Sequence, residues 1–115
     1  MSTLSNEDVE REGKWLTATW HGDIDITNSD ALEQASLGAL QNTDAGLIVN
    51  LTNVTYVDSA GIRSLLTMRR LLAHRQQRLL VVVPERSVLN KALEVGGLPA
   101  VVSIHRTLSS AREDR

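Results

Sequence analysis

Three short apolar runs alternate with amphipathic stretches from residue 46 onward, and this alternation restricts the fold more than any other feature. The runs are GLIVNL (46–51), RLLVVVP (78–84) and AVVSIH (100–105). Nearly continuous apolar strands of this kind are covered on both faces. Strands that alternate with helices form a parallel sheet through right-handed crossovers. The pattern therefore predicts an α/β fold with helices packed on a mostly parallel sheet.

Helical spacing of apolar residues indicates what connects these strands. A first helix is expected at about 29–41, after the capping residues Thr27, Asn28 and Ser29. The remaining helices are expected to begin near residue 59, within RSVLNKALEVGG (86–97), and within TLSSARED (107–114). Gly96 and Gly97 suit the left-handed conformation that ends a helix.

The N-terminal part adds an antiparallel element. WLTATWHGDIDI (15–26) alternates apolar and polar residues, which predicts a half-buried strand in which Trp15 and Trp20 are packing residues. Gly13 is placed to turn a hairpin from a short first strand near 8–11. We therefore expect a four- to five-stranded, mostly parallel sheet with one N-terminal antiparallel strand and about four helices.

Length and composition define the class of protein. With 115 residues the chain is expected to form one domain, with loose ends at about 1–6 and 112–115. The absence of cysteine excludes a disulfide scaffold and cysteine-based zinc sites. The polar N-terminus does not resemble a signal peptide, and no apolar stretch reaches the roughly 18 residues that span a bilayer. A cytoplasmic protein without membrane association is expected.

The charge distribution is uneven although the net charge is only −2, which gives no reason to expect nucleic-acid binding. The segment RSLLTMRRLLAHRQQR (63–78) contains no acidic residue. A solvated helix face and a partner-facing basic patch both remain open for its arginines, which are Arg63, Arg69, Arg70, Arg75 and Arg78.

The stretch VDSAG (57–61) joins a buried strand to a helix, where α/β proteins place functional loops. Asp58 and Ser59 are both good helix caps, so capping is one explanation of the pair. Ala60 and Gly61 keep the first turn small, which would let a partner approach the hydroxyl. A glycine there costs up to about 1 kcal/mol of helix stability and requires a reason.

A catalytic role for Ser59 requires a general base within hydrogen-bonding reach. The histidines are His21, His74 and His105, and no spacing brings any of them to this serine. The context also lacks the glycine two residues before the serine that the hydrolase elbow needs. A serine hydrolase is therefore not expected.

The segment HGDIDITNSD (21–30) is a second polar cluster, with Asp23, Asp25 and Asp30 near Thr27 and Asn28. A Mg²⁺ or Ca²⁺ site is conceivable from the residue types, but the EF-hand spacing fails after Asp25. A solvated connection, or an acidic rim shared with Asp58 around Ser59, is the alternative. No nucleotide-binding motif is present, so no cofactor is expected.

Three segments resemble the STAS domain family, and within it the bacterial anti-sigma factor antagonists. GDID (22–25) is similar to the family's G-x-[LI]-D, and VDSAGI (57–62) is similar to its D-S-[SA]-G-[LI] phosphorylation motif. VGGLPAVVSIHRTLSSA (95–111) resembles the closing helix, strand and helix. Together they extend over nearly the whole chain.

The resemblance implies a regulatory protein whose binding is switched by phosphorylation and which has no catalytic activity of its own. In such proteins the unmodified form binds an anti-sigma factor, usually a histidine-kinase-like ATPase that phosphorylates the serine, and a separate phosphatase reverses the modification. Ser59 is the implied acceptor. The implied partner-binding residues are Asp23, Asp25, Thr27, Asn28, Asp58, Ala60, Gly61 and Arg63. Related domains also serve as accessory subunits of lipid-transport ATPases, often with threonine at the serine position, or as scaffolds in other signalling complexes.

Overall fold

The computed structural model describes residues 8–114, and within this range the chain forms a five-stranded sheet with four α-helices. A 3₁₀ turn at Leu98–Ala100 precedes the last strand. The expected loose end at 1–6 lies outside the described residues. The elements in chain order are β1 (Val9–Glu12), β2 (Trp15–Ile24), α1 (Ser29–Ala39), β3 (Gly46–Val57), α2 (Ser59–His74), β4 (Arg78–Val82), α3 (Leu89–Val95), β5 (Ser103–His105) and α4 (Leu108–Glu113).

The strands lie side by side in sequence order, β1-β2-β3-β4-β5. β1 pairs antiparallel with β2, and every later pair is parallel. The predicted architecture is therefore confirmed. Because each crossover moves one strand further in the same direction, right-handed connections place α1, α2 and α3 on one face of the sheet.

Alternation along the strands divides the core into two layers. Leu47, Val49 and Leu51 of β3 belong to the large cluster that includes the buried residues of α1, α2 and α3. Ile48 points to the other face, where α4 covers it with Ala111 and Leu108. Both faces of β3 are thus covered, as its continuous apolar run predicted.

The two tryptophans are packing residues, as predicted. Trp20 is 1% exposed, and its indole Nε1 donates to Ser36 Oγ of α1 at 3.1 Å. Trp15 is buried on the face that α4 covers, and the guanidinium of Arg78 lies 5.9 Å from its ring centroid. Arg78 is the first residue of β4. It therefore does not belong to the surface of α2 that carries Arg63.

Several element ends differ from the predicted ones because tertiary contacts determine them. α1 ends at Ala39 because Leu40 is extended, with ψ 136°. β5 begins only at Ser103, after the 3₁₀ turn. Of the two glycines after α3, only Gly97 is left-handed, with φ +79°. Gly96 is required for another reason, since a Cβ there would lie 2.7 Å from Ile62 Cγ2 of α2.

The C-terminal segment 112–114, expected to be loose, is attached to the sheet. Asp114 Oδ1 accepts from Arg78 Nη2 at 3.0 Å, and Asp114 Oδ2 lies 2.8 Å from His105 Nε2. His105 Nδ1 lies 2.8 Å from Ser110 Oγ of α4. The hydrogen bond with His105, and then that with Arg78, lowers the pKa of Asp114. These polar contacts fix α4 against β4 and β5.

Candidate functional site

The candidate site lies where β3 passes into α2, at the carboxyl edge of the parallel strands. Only Asp58 separates the strand end at Val57 from the helix start at Ser59. The backbone N–H of Asp58 donates to the carbonyl of Ile24, the last residue of β2, at 3.1 Å. The connection from β2 to α1 therefore begins beside this loop.

Asp58 is the residue that caps α2. Its Oδ1 accepts from the backbone N–H of Ala60 at 2.8 Å and of Gly61 at 3.1 Å. Ser59 occupies the first helical position, is exposed, and its Oγ has no hydrogen-bond partner among residues 8–114. Of the two residues that sequence reasoning left open as caps, Asp58 takes this role, and the hydroxyl of Ser59 is free.

Packing inside the protein explains why position 61 is a glycine. The residue is buried, and a Cβ at this position would lie 2.6 Å from Val57 Cγ2 and 3.0 Å from Ile24 Cγ2. The glycine lets the first turn of α2 pack directly on the ends of β2 and β3. This packing accounts for the glycine, and a role of Gly61 toward a partner stays a prediction.

The β2–α1 connection is held by its own polar side chains. Asp25 Oδ1 accepts from the N–H of Thr27 at 2.9 Å and also from the Thr27 hydroxyl. Asn28 Oδ1 accepts from the N–H of Asp25 at 2.9 Å, and its Nδ2 donates to the carbonyl of Asp23 at 2.8 Å. The hydrogen bonds from the Thr27 hydroxyl and N–H lower the pKa of Asp25. This carboxylate is therefore ionised at neutral pH.

The sequence-predicted acidic residues share the same edge of the sheet. Asp23 Oδ1 accepts from Thr55 Oγ1 of β3 at 2.8 Å. Gly22 precedes it with φ +71°, at a shift in the β2–β3 register. Asp30 lines a hollow between α1 and α2 together with Ala60 and Arg63. Among residues 8–114 no three acidic or histidine side chains are grouped as metal ligands, so a cation site has no support.

Arg63 stands one helical turn beyond Ser59 and is exposed. Its side chain has no hydrogen-bond or ion-pair partner among the described residues. It borders two depressions, one shared with Asp30 and the other shared with Ser59. This cation is therefore free to meet an anion next to the serine.

Sequence reasoning missed an apolar groove of about 480 Å³ that opens beside Ser59. Ile62 and Leu66 of α2 form one wall, and Ala92 and Val95 of α3 form the other. The available signal was the amount of apolar surface on α3, where residues on both sides of the helix are hydrophobic. Spacing alone does not tell which of them are covered by the protein itself.

No histidine of the described chain serves as a base for Ser59. His21 Nε2 lies 2.8 Å from Asp8 Oδ1, and the ring of His105 is engaged by Ser110 and Asp114. His74 ends α2, and at 1.5 Å per residue it lies about 22 Å from the serine along the helix axis. None of the three histidines is hydrogen-bonded to Ser59, and the lack of hydrolase activity stays a prediction.

The geometry describes an α/β fold that presents a free serine hydroxyl at one edge of its sheet. The chain belongs to the STAS domain family, whose model matches residues 7–111. No curated protein is significantly similar to it in sequence.

Solved structures share the fold over nearly the whole chain. An anti-sigma factor antagonist from Mycobacterium paratuberculosis has a TM-score of 0.81 at 23% identity, with 92% of this chain and 89% of that chain covered. A candidate anti-sigma factor antagonist from Thermotoga maritima has a TM-score of 0.81 at 17% identity, with 92% and 91% covered. The anti-sigma factor antagonist SpoIIAA, in its unphosphorylated form, has a TM-score of 0.67 at 17% identity, with 93% and 94% covered.

Proposed function

We propose that this protein is an anti-sigma factor antagonist, which in its unmodified form binds an anti-sigma factor and so frees a sigma factor. The observation that carries the proposal is the free, exposed hydroxyl of Ser59 at the start of α2, in a domain of the STAS family. Similar folds named as anti-sigma factor antagonists support it. Because sigma factors act on RNA polymerase, the proposal places the protein in the cytoplasm.

The proposed partner is a histidine-kinase-like ATPase that also modifies the serine. The γ-phosphoryl group of ATP passes to Ser59 Oγ, the hydroxyl proton passes to a base of the kinase, and ADP leaves. A separate phosphatase returns the free hydroxyl by hydrolysis. The protein is a substrate and a binding partner in this scheme, and is not itself an enzyme, which agrees with the lack of a histidine beside Ser59.

The proposed docking surface surrounds the serine at the carboxyl edge of β2 and β3. Its members are exposed or half-buried, apart from Gly61, which supports the surface from beneath. They are Asp23, Asp25, Thr27, Asn28, Asp58, Ala60, Gly61 and Arg63.

Electrostatics explain how the modification would act. A phosphate adds about −1.5 to −2 charge at neutral pH. Asp58 already accepts from the N–H groups of Ala60 and Gly61, so these donors are occupied and the phosphate remains on the surface. There it stands beside the Asp58 carboxylate within the docking face. The modification therefore blocks the interface and leaves the fold intact.

The test uses each histidine-kinase-like ATPase of the source organism as a purified probe. One of them should bind the wild-type protein in calorimetric titration and, with ATP, should place a phosphate on Ser59 detectable by mass spectrometry. Ser59→Asp should lose this binding while its melting temperature stays within about 5 °C of wild type. Ser59→Ala is the matched control, because it should still bind and accept no phosphate. Gross unfolding of Ser59→Asp, or stable binding only to a transport ATPase, would overturn the proposal.

A further inference from the structure

Beside the exposed Lys91 and Glu94, the surface of α3 carries an apolar strip where a surface helix is normally polar. Val88, Ala92 and Val95 follow one another at spacings of four and three residues, which places them on one side of the helix. Val88 is 78% exposed and Val95 is 80% exposed. Leu89 and Leu93, on the inner side, supply the core contacts. Val88 and Val95 therefore remain uncovered, whereas Ala92 between them is half-buried and packs partly against the core.

This apolar surface continues into the groove beside Ser59. Leu66 and Ile62 of α2 face Ala92 and Val95 of α3 across it. Gly96 permits the close approach of the two helices, since a Cβ there would collide with Ile62. On the other side of Ala92, a second hollow contains Val88 and Tyr56, which is 53% exposed. The two hollows make one uncovered apolar face, a feature that marks interaction sites.

Two cations border this apolar face, and the carboxylate of Asp58, which caps α2, lies at its Ser59 end. Arg63 stands at the end nearest Ser59, and Lys91 lines the hollow that contains Tyr56. Neither side chain has an ion-pair or hydrogen-bond partner within residues 8–114. A partner with apolar residues flanked by acidic ones would complement both the surface and its charge.

We propose that an amphipathic helix of the anti-sigma factor docks between α2 and α3, with its apolar stripe in the groove and acidic residues opposite Arg63 and Lys91. This inference rests on the proposed function and adds a second contact region to the interface around Ser59. The groove has helical walls whose backbone groups are bonded within α2 and α3. An extended segment therefore finds no strand edge to pair with there, whereas a helix presents the side chains that fill such a groove.

The position of the groove connects docking to modification. Ser59 stands at its mouth, and Arg63 lies one turn further along the same helix. A phosphate on Ser59 would attract the Arg63 guanidinium and withdraw it from the acidic residues of the docking helix. The phosphate would then weaken both regions of the interface.

The decisive variant is Val95→Asp, because Val95 is exposed and its replacement leaves the core unchanged. The probe is the histidine-kinase-like ATPase that binds the wild-type protein. We expect the Kd of Val95→Asp to rise at least about tenfold, which corresponds to about 1.4 kcal/mol. Val101→Asp is the matched control: Val101 is also an exposed valine, at 42%, but it precedes β5, at the opposite edge of the sheet. Its Kd should equal that of wild type.

Charge and location are tested separately. Lys91→Glu should weaken binding, and Arg70→Glu, on α2 beyond the groove, should leave it unchanged. In the complex, amide hydrogen exchange should slow at α3 relative to the free protein. Wild-type affinity for Val95→Asp would overturn this inference and leave the proposed function standing, whereas failure of every ATPase to bind the wild-type protein would overturn both. A wild-type dimer that Val95→Asp dissociates would show a second copy in the groove and also overturn the inference.

Discussion

Ser59 and Arg63 lie one helical turn apart on α2 and border the same groove. The serine side chain has no partner within residues 8–114, and neither has the arginine. An anion at the first position and a cation four residues later is the favourable order on a helix. A negative charge placed on Ser59 would therefore attract the Arg63 guanidinium and leave it less available to a partner.

A double-mutant cycle measures this coupling. We predict that Ser59→Asp and Arg63→Ala couple by about 0.3–0.5 kcal/mol in the free energy of unfolding, and that added salt reduces the coupling. Thermal unfolding of the four proteins at low salt provides the measurement. Pairing Ser59→Asp with Arg70→Ala should give additive effects, because Arg70 lies two further turns along α2. Equal coupling in both cycles would contradict the prediction.

The cap at Asp58 gives a prediction for stability. Asp58→Ala removes the acceptor for two N–H groups and should lower the free energy of unfolding by about 1 kcal/mol. Asp58→Asn retains an acceptor oxygen and should restore most of that loss. Urea denaturation compares the two. If asparagine were as destabilising as alanine, capping by the side-chain oxygen would not explain the contribution of Asp58 to stability.

Gly61→Ala and Gly38→Ala form a matched pair on two helices. Alanine normally stabilises a helix by up to about 1 kcal/mol over glycine. At Gly38 of α1, no atom of residues 8–114 outside the neighbouring residues and the helix's own backbone lies within 4 Å of the place that the added methyl group would take. At Gly61 the methyl would lie 2.6 Å from Val57 Cγ2, so overpacking should cost about 1–3 kcal/mol instead. Stabilisation by both substitutions, in chemical denaturation, would contradict the packing explanation.

Gln76→Gly should stabilise the protein. Gln76 has φ +58° after the C-terminus of α2, the one positive φ of a non-glycine residue within residues 8–114. The N–H groups of Gln77 and Gln76 donate to Leu72 and Ala73 at 2.8 and 3.0 Å, as in a Schellman motif, where glycine is preferred. We expect a gain of about 0.5–1 kcal/mol in the free energy of unfolding. Gln76→Ala, which keeps the left-handed strain, is the control and should give no such gain.

Acid should weaken the attachment of α4. The pKa of Asp114 is lowered by hydrogen bonding with His105 and then with Arg78, from an ordinary value of 3.8. Its contribution to stability is therefore present above pH 3.8 and is lost as the pH falls through the lower, folded-state pKa. Asp114→Asn should be less stable than wild type at neutral pH, and the difference should shrink in strong acid. A constant difference across the acid range, in melting temperature against pH, would contradict this.

The order of elements followed from local patterns. The apolar runs of β3 and β4 and the periodic stretch of α2 identify strand, helix and strand because each period is a property of consecutive residues. That order also puts Ser59 at the carboxyl edge of a parallel sheet, since strand ends in such sheets meet at one edge. The class of fold, and the serine as the hydroxyl of interest, were therefore available from the sequence.

Tertiary structure decided what each side chain faces. A glycine is needed at position 61 because β2 and β3 end directly beneath it, and Val95 is exposed because no element of the described chain covers its side of α3. Arg78 belongs with Trp15 and Asp114, although the sequence places it in one basic segment with Arg63. An apolar or charged residue has the same chemistry whether covered or free. Only the packing of distant elements determines which surfaces remain for a partner.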